Sequence, residues 1–448
     1  MNKTRALLSL CLAVLSLPAT TACALDGWIG IHDPSTVVKC GGNYYVFGTG
    51  RGISMLTSSN GFDWRRCGRV FDRIPDSVKK FVPLNDGQGV WAPDIIQLNG
   101  IFYLYYAVSK WDSFVSAVGL TTNPTLDTNS PDYKWTDHGM VVHSSEGESL
   151  NAIDPGVCLA PDRTLWLCYG SYHGNIELVE LNPKTGLRVA TNSPVAIIAS
   201  QSEASDIIFH GGWYYLFVNH GSCCQGTNST YNIRVGRAQT ITGPYLDRYG
   251  GNLVGGGGTL FLAAQGNDIG PGHFGLLEDD GVEKFSCHYE SELGREGRSI
   301  LEIRPLLWSE DGWPLPGENI RDGDYQIRSL RTGTILEDSA NGVQTAHYLI
   351  RNNQKWSIAP AGHGLYKIEN VANGTCLQAD GEEVESTPFT GAENQLWKID
   401  QLSSGSYRIE SKTGSLALTA AAETKPGAGV ALQAFNGGDA QRWVISAP

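Results

Sequence analysis

From about residue 31 onward, apolar and polar positions alternate in short runs, and the runs recur. A polar residue, a short apolar strand, a Gly or Asn/Asp turn and an aromatic strand follow one another in VVKCGGNYYVFGT, DIIQLNGIFYLYYAVS, GVCLAPDRTLWLCYGSY, DIIFHGGWYYLFVNHG and GLLEDDGVEKFSCHYE. Each reads as a hairpin with a short loop. A third strand follows every hairpin (ISMLTSS, SAVGLTT, NIELVEL, NIRVGRA, ILEIRPL), and a Trp-containing fourth follows in DWRRCGRVF and KWTDHGMVV. Helix-period patterning is nearly absent. Five units of about four strands predict an all-β fold, a five-bladed β-propeller, whose radially repeated sheets leave only short edges around an axis. A β-sandwich accounts for the strands but not for the five recurrences.

A second, shorter period begins after the Trp/Pro-rich segment GWPLPGENIRDG. Tyr325, Tyr366 and Tyr407 are spaced 41 residues apart in DYQIRSLRTGTILED, LYKIENVANGTCLQAD and SYRIESKTGSLALTA, and the units close on Gln354/Trp356, Gln395/Trp397 and Gln441/Trp443. Three strand-and-turn repeats, each with one Trp to bury, predict a pseudo-threefold barrel. The segment resembles the ricin-type β-trefoil, carbohydrate-binding module family 13. The pattern departs from that family where an Asp is usual, reading Glu337, Gln378 and Thr419, with Asp338 and Asp380 one and two residues late. Asn353 and Asn394 precede the first two Gln-x-Trp closures, but Ala440 precedes the third. Glycan binding by the first two repeats and a purely structural appendage therefore weigh nearly equally. The expected organisation is a signal peptide at 1–24, a propeller at 25–316 and a trefoil at 317–448.

The leader is read from Lys3 and Arg5, the apolar run LLSLCLAVLSL and the small-residue ending Ala22-Cys23-Ala24. It implies a secreted protein, extracellular or periplasmic, with no later run approaching the roughly 20 apolar residues of a membrane span. Formal net charge is -13, and loss of Lys3 and Arg5 leaves -15 with no basic cluster, which excludes a nucleic-acid surface. A monomer is expected. Eight cysteines follow the leader. Cys40/Cys67 and Cys158/Cys168 could staple neighbouring strands or stay as inert thiols, and no spacing suggests a zinc site.

In a propeller the first strands line the axis, so blade starts converge in space. They read Asp33 in HDPS, Asp94 in WAPD, Asp154 in NAIDPG, Glu203 in SEAS and His273 in GPGHFG. Several unpaired carboxylates at one axis repel one another and are costly to bury, so a structural role for all of them is a poor explanation. Paired carboxylates either side of a sugar are what glycoside hydrolysis requires.

These motifs, with GSCCQGTNSTYNIRVGRAQTITGPYLD, are similar to glycoside hydrolase family 43, in its arabinanase branch, from about residue 28 to 315. The resemblance implies an inverting glycosidase acting on α-1,5-linked arabinan or a related plant cell-wall pentose polysaccharide. Asp33 would be the general base, Glu203 the general acid and Asp154 the acid that tunes pKa, with base and acid about 6.5–9.5 Å apart. Trp91, Trp111, Phe114 and Tyr172 are the candidates for stacking on sugar, and Asp94 supports the substrate site. The resemblance also implies a central calcium ion reached from His273 largely through water, and no organic cofactor; from the residues alone, a satisfied histidine closing the channel fits equally. Ser171-Tyr172-His173 replaces the branch's usual SFW, which leaves endo against exo action open. Cys223-Cys224 falls in the family's SCC motif and reads as a structural loop. The rivals are an exo-acting α-L-arabinofuranosidase or β-xylosidase and, outside the class, a catalytically silent glycan binder.

Overall fold

The computed structural model describes residues 25–448 except Asp86, Gln88 and 423–426; the leader read at 1–24 lies outside the described residues. Short amphipathic runs become strands as their period-2 pattern requires. Five sheets succeed one another, each of four strands except that the two-residue strand Asp26–Gly27 adds a fifth to the edge of the first: blade 1 (Val38–Cys40, Asn43–Gly48, Ser54–Ser58, Asp63–Arg69), blade 2 (Val90–Leu98, Ile101–Val108, Ser116–Asn123, Thr136–Ser144), blade 3 (Gly156–Leu159, Leu165–Gly170, Asn175–Leu181, Val195–Ser200), blade 4 (Glu203–His210, Trp213–His220, Asn232–Ala238, Thr259–Leu262) and blade 5 (Asp268–Asp279, Val282–Glu292, Arg298–Trp308, Pro314–Pro316). Two-residue loops join the inner strands where the sequence has Asn99-Gly100 and Asp280-Gly281. All four residues there have positive φ, as hairpin turns that match strand twist demand.

Each pair of adjacent blades shares its own apolar core. Phe47, Met55, Leu104 and Tyr106 lie between blades 1 and 2; Tyr105, Leu120, Leu167 and Val179 between 2 and 3; Leu178, Ile207 and Leu216 between 3 and 4; Phe217, Phe274 and Phe285 between 4 and 5. The fifth interface closes the ring. The segment before blade 1 bridges to blade 5, with Gly30 paired to Ile300 and the Leu301 amide donating to the Ile29 carbonyl at 2.8 Å. Ile29, Ile31, Val46, Tyr289 and Leu301 pack beneath it. Closure at this point leaves Asp33 directly on the axis.

After Pro316 the chain enters a twelve-stranded sheet beginning at Gly323–Ser329. The three repeats bury Trp356, Trp397 and Trp443 completely, and each indole donates to a backbone carbonyl, of Leu336, Leu377 and Leu418. Gln354, Gln395 and Gln441 clamp the preceding turns, so the Gln-x-Trp motif is a folding element. The would-be sugar positions are engaged in the same way. Glu337 accepts from Gln344 and Gln354, and Asn353 and Asn394 donate to the carbonyls of Asp338 and Ala379.

The two parts meet through charge as well as through Phe62, which packs against both cores. Arg408, 2% exposed, reaches Asp400 at 2.8 Å and Asp280 at 3.0 Å, while Lys284 reaches Asp400 at 3.2 Å. Charges taken out of water hold together only when mutually paired, which makes this network sensitive to the loss of any member. Among the described residues all eight cysteines are free thiols. Of the two readings left open by the sequence, these are thiols: Cys40 faces Thr125, Cys67 faces the Met55 carbonyl and Cys168 faces the Gly156 carbonyl.

Candidate active site

The backbone repeats itself where the blades meet the axis. Asp33 (φ 48), Ala92 (φ 42), Asp154 (φ 54), Ala204 (φ 52) and His273 (φ 56) each adopt the left-handed conformation, one per blade. Such residues cost of order 1–3 kcal/mol each outside glycine, and they persist where the surroundings enforce a particular side-chain direction. In blades 2, 4 and 5 they fall within a bulge, a device that re-aims a side chain at a strand edge. The register assigned from sequence therefore needs adjusting. Ala92 and Ala204, not Asp94 and Glu203, are the counterparts of Asp33, so Glu203 reaches the axis from one residue earlier.

A cavity of about 340 Å³ opens at this end of the axis. Asp33, Asp154, Glu203 and His273 line it together with Trp91, Trp111 and Phe114. Two expected members do not. Asp94 is buried below, where its oxygens accept the Thr36 amide at 3.0 Å and the Val157 amide at 2.9 Å, tying blades 1, 2 and 3. Tyr172 turns its hydroxyl to the carbonyls of Gly221 (2.8 Å) and Asn219 (3.2 Å), so it braces a blade 4 loop instead of offering a face to sugar. The neighbouring His173 stacks on Phe114, with ring centroids 3.1 Å apart and planes 8° from parallel.

Asp33 is surrounded by imidazoles. His273 Nδ1 lies 3.0 Å and His32 Nε2 3.6 Å from its Oδ1, and its own amide donates to His288 Nδ1 at 3.0 Å. Thr49 donates to Oδ2 and accepts the Ala92 amide at 2.8 Å, which fixes the carboxylate from blade 2. Burial alone would raise this acid, but the His32 and His273 charges hold it well below the usual carboxylate range. Reciprocally, burial would lower His273, and the Asp33 charge instead lifts it to about 9. His288, pushed down to about 4 by burial and by the His32 charge, stays neutral and can accept the Asp33 amide.

The other two acids are shifted the opposite way. Glu203 accepts the Ser171 and Tyr231 hydroxyls, each at 2.9 Å, and Asp154 accepts the Ala204 amide at 3.2 Å. Burial raises both; the charge of Glu203 adds to the rise of Asp154, and that of Asp33 adds to the rise of both. Two such coupled acids retain a proton at a pH where a lone carboxyl has lost it. The site thus pairs an ionised carboxylate with a protonated one. His32, Thr49, His288 and Tyr231 escape sequence reasoning, although His32 stands beside Asp33 in HDPS. Asp206, pushed far up by burial and by the Asp94 charge, is a further missed axial acid. It lines another cavity, of about 370 Å³, alongside Thr36 and first-strand residues of blades 2 to 5.

A propeller with two oppositely protonated carboxyls in an aromatic-walled axial cavity defines a glycosidase of the acid/base kind. Comparison with known proteins agrees. The family model for glycosyl hydrolases family 43 matches residues 29–314, and the chain belongs to that family. The model for a ricin-type β-trefoil lectin domain-like unit matches residues 352–433. An extracellular exo-α-(1→5)-L-arabinofuranosidase, ArbA, of Cellvibrio japonicus is 35% identical over 69% of this chain and 92% of its own length. An extracellular endo-α-(1→5)-L-arabinanase 1 of Bacillus subtilis is also 35% identical, over 63% of this chain and 87% of its own. Among solved structures, an exo-1,5-α-L-arabinanase from a bovine ruminal metagenomic library is 37% identical with a TM-score of 0.61, covering 64% of this chain and 97% of that one.

The charge arrangement sets a pH dependence. Because the folded state holds Glu203 and Asp154 above their unfolded values, it binds more protons there, and stability falls as pH rises from the ordinary carboxylate range toward the folded values. Asp33 works in the other direction, stabilising above its unfolded value and losing that contribution only as pH falls through its depressed folded one. Asp154→Asn should accordingly raise the melting temperature at pH 7–8 while lowering kcat. A thermal scan with no gain for this variant, or a loss, would contradict the direction of the shift.

Proposed function

We propose that the protein is a secreted, inverting hydrolase cutting α-1,5-linked L-arabinan. The observation that carries this reading is that Asp33 and Glu203 line one cavity in opposite settings, imidazoles against Asp33 and hydroxyls against the buried Glu203. In the mechanism, Asp33 takes a proton from a water aimed at the anomeric carbon, and Glu203 gives its proton to the departing glycosidic oxygen from the other face. Asp154, raised by burial and further by the Glu203 charge, is positioned by the Ala204 amide and stands as the acid that keeps a proton in the site. Trp91 and Trp111, packed edge to face in the cavity wall, supply apolar faces for the sugar rings. The relatives named above support arabinan as the substrate, and two named as extracellular, with the leader pattern, support secretion.

Internal cleavage is the leading reading, and exo action is favoured by one observation. His173 stacked on Phe114 fills the rim where a free ring would hold a further sugar. Products from linear arabinan separate them, a ladder of oligomers marking endo cleavage and arabinose alone marking exo. For either mode, Asp33→Ala and Glu203→Ala should each lower kcat roughly 10²–10⁴-fold with little change in KM. Wild-type-like turnover in either variant rules out its assigned role.

Calcium would be held here by His273, through water, with Asp94 and Asp206 supplying negative charge. The fit lies in those buried acids, which repel one another and which a cation would relieve. The directly converging donors, Asp33, His273 and His288, are too poor in oxygen for a calcium cage, and His288 Nδ1 is already accepting an amide. When bound, the ion would supply positive charge that steadies the axis. Chelation should lower the melting temperature and activity together, and readdition of calcium should restore both; neither changing removes the ion from the account.

A further inference from the structure

Two sulfurs at the lip of the cavity take no part in the proposed hydrolysis. The loop between Trp213–His220 and Asn232–Ala238 carries Cys223 and Cys224, and both line the cavity with Asp33 and Glu203. Their Sγ atoms are 2.8 Å apart. That is inside the roughly 3.5–4.0 Å at which even carbon atoms rest against one another. The loop is held in this shape. Cys224 adopts φ 61, the Ser222 amide donates to Thr230 Oγ1 at 3.0 Å, the Ser229 hydroxyl donates to the Ser222 carbonyl at 2.8 Å, and the Cys224 amide donates to the Glu290 carboxylate. Cys224 Sγ lies 3.7 Å from His32 Nε2, and that nitrogen lies 3.6 Å from Asp33 Oδ1. One imidazole therefore stands between a thiol and the carboxylate assigned as the base.

We propose that Cys223 and Cys224 form a thiol–disulfide site that closes to a vicinal disulfide by exchange with a small disulfide molecule, and that closure disturbs the neighbouring base. Cys224 is exposed and is the attacking group. Contact with Cys223 lowers it to about 6 against the effect of burial, helped by His32, while Glu290 opposes; the same contact pushes Cys223 upward. The Cys224 thiolate attacks one sulfur of the small disulfide, a mixed disulfide forms, and the first small thiolate leaves. Cys223 gives its proton to solvent, attacks Cys224 Sγ and expels the second. Two protein thiols are oxidised to one disulfide, and one small disulfide is reduced to two thiols. In the dithiol the Cys224 sulfur shares the charge of His32. Closure draws the Cys224 sulfur into the bond with Cys223 and out of this contact, so His32 faces Asp33 alone and the base is held differently against the attacking water. Only this last consequence rests on Asp33 acting in hydrolysis.

The test incubates the full-length protein with glutathione disulfide, removes it, and reads intact mass, peptide map and kcat on arabinan oligomers. The expected result is loss of two hydrogens in the peptide carrying Cys223 and Cys224, with kcat reduced roughly threefold or more and restored by dithiothreitol. A Cys223→Ser/Cys224→Ser variant should show neither response to the treatment. Unchanged thiols, a mixed disulfide that never closes, or closure with unaltered kcat overturns the proposal. A dithiol protein inert on every pentose polymer refutes the hydrolase reading instead, and the mass map still decides the sulfur chemistry.

Discussion

Everything at the axis depends on one electrostatic requirement: carboxyls confined to a small buried cavity cannot all ionise, and the placement of imidazoles decides which one does. His32 and His273 stand against Asp33, while Asp154 and Glu203 hydrogen-bond to amide and hydroxyl partners and feel His273 only through its charge. The same burial that would protonate any of the three is overruled at one position by nearby positive charge and reinforced at the others by like charge. Environment thus separates the three carboxyls electrostatically, with the chemistry of the side chains nearly identical.

The fold exists to maintain that asymmetry. A left-handed residue at the head of every blade turns five chain segments inward, and the backbone cost of those conformations is met by five separate apolar cores between blades. Closure through Ile29 and Leu301 brings Asp33, near the beginning of the chain, against His273 and His288 from blade 5. The ion network around Arg408 then fixes the trefoil on the blade 5 hairpin at Asp280.

Much of this was legible in the sequence because hairpins announce themselves through period-2 patterning and turn residues, and because repetition locates blade starts. Asp33, Asp154, Glu203 and His273 could be gathered on paper, and the spacing of Gln-x-Trp marked the trefoil. What spacing could not reveal was the bulge. Counting from aligned motifs placed Asp94 in the site, whereas the extra residue beside Ala92 drops it onto the Thr36 and Val157 amides. His288 and Tyr231 were hidden for a different reason, since they sit mid-strand or in a loop and gain their role only when distant blades meet. Tyr172 looked like a sugar platform because aromatic identity says nothing about where a hydroxyl will find its acceptor.

The central claim is that an ionised Asp33 and a protonated Glu203 act from opposite faces of the sugar, so that water displaces the leaving group in one step. Time-resolved proton NMR of the first product released from an α-linked arabinan oligomer tests this most directly. The account predicts that the new reducing end appears first as the β-anomer and only then equilibrates. Initial appearance of the α-anomer would contradict it.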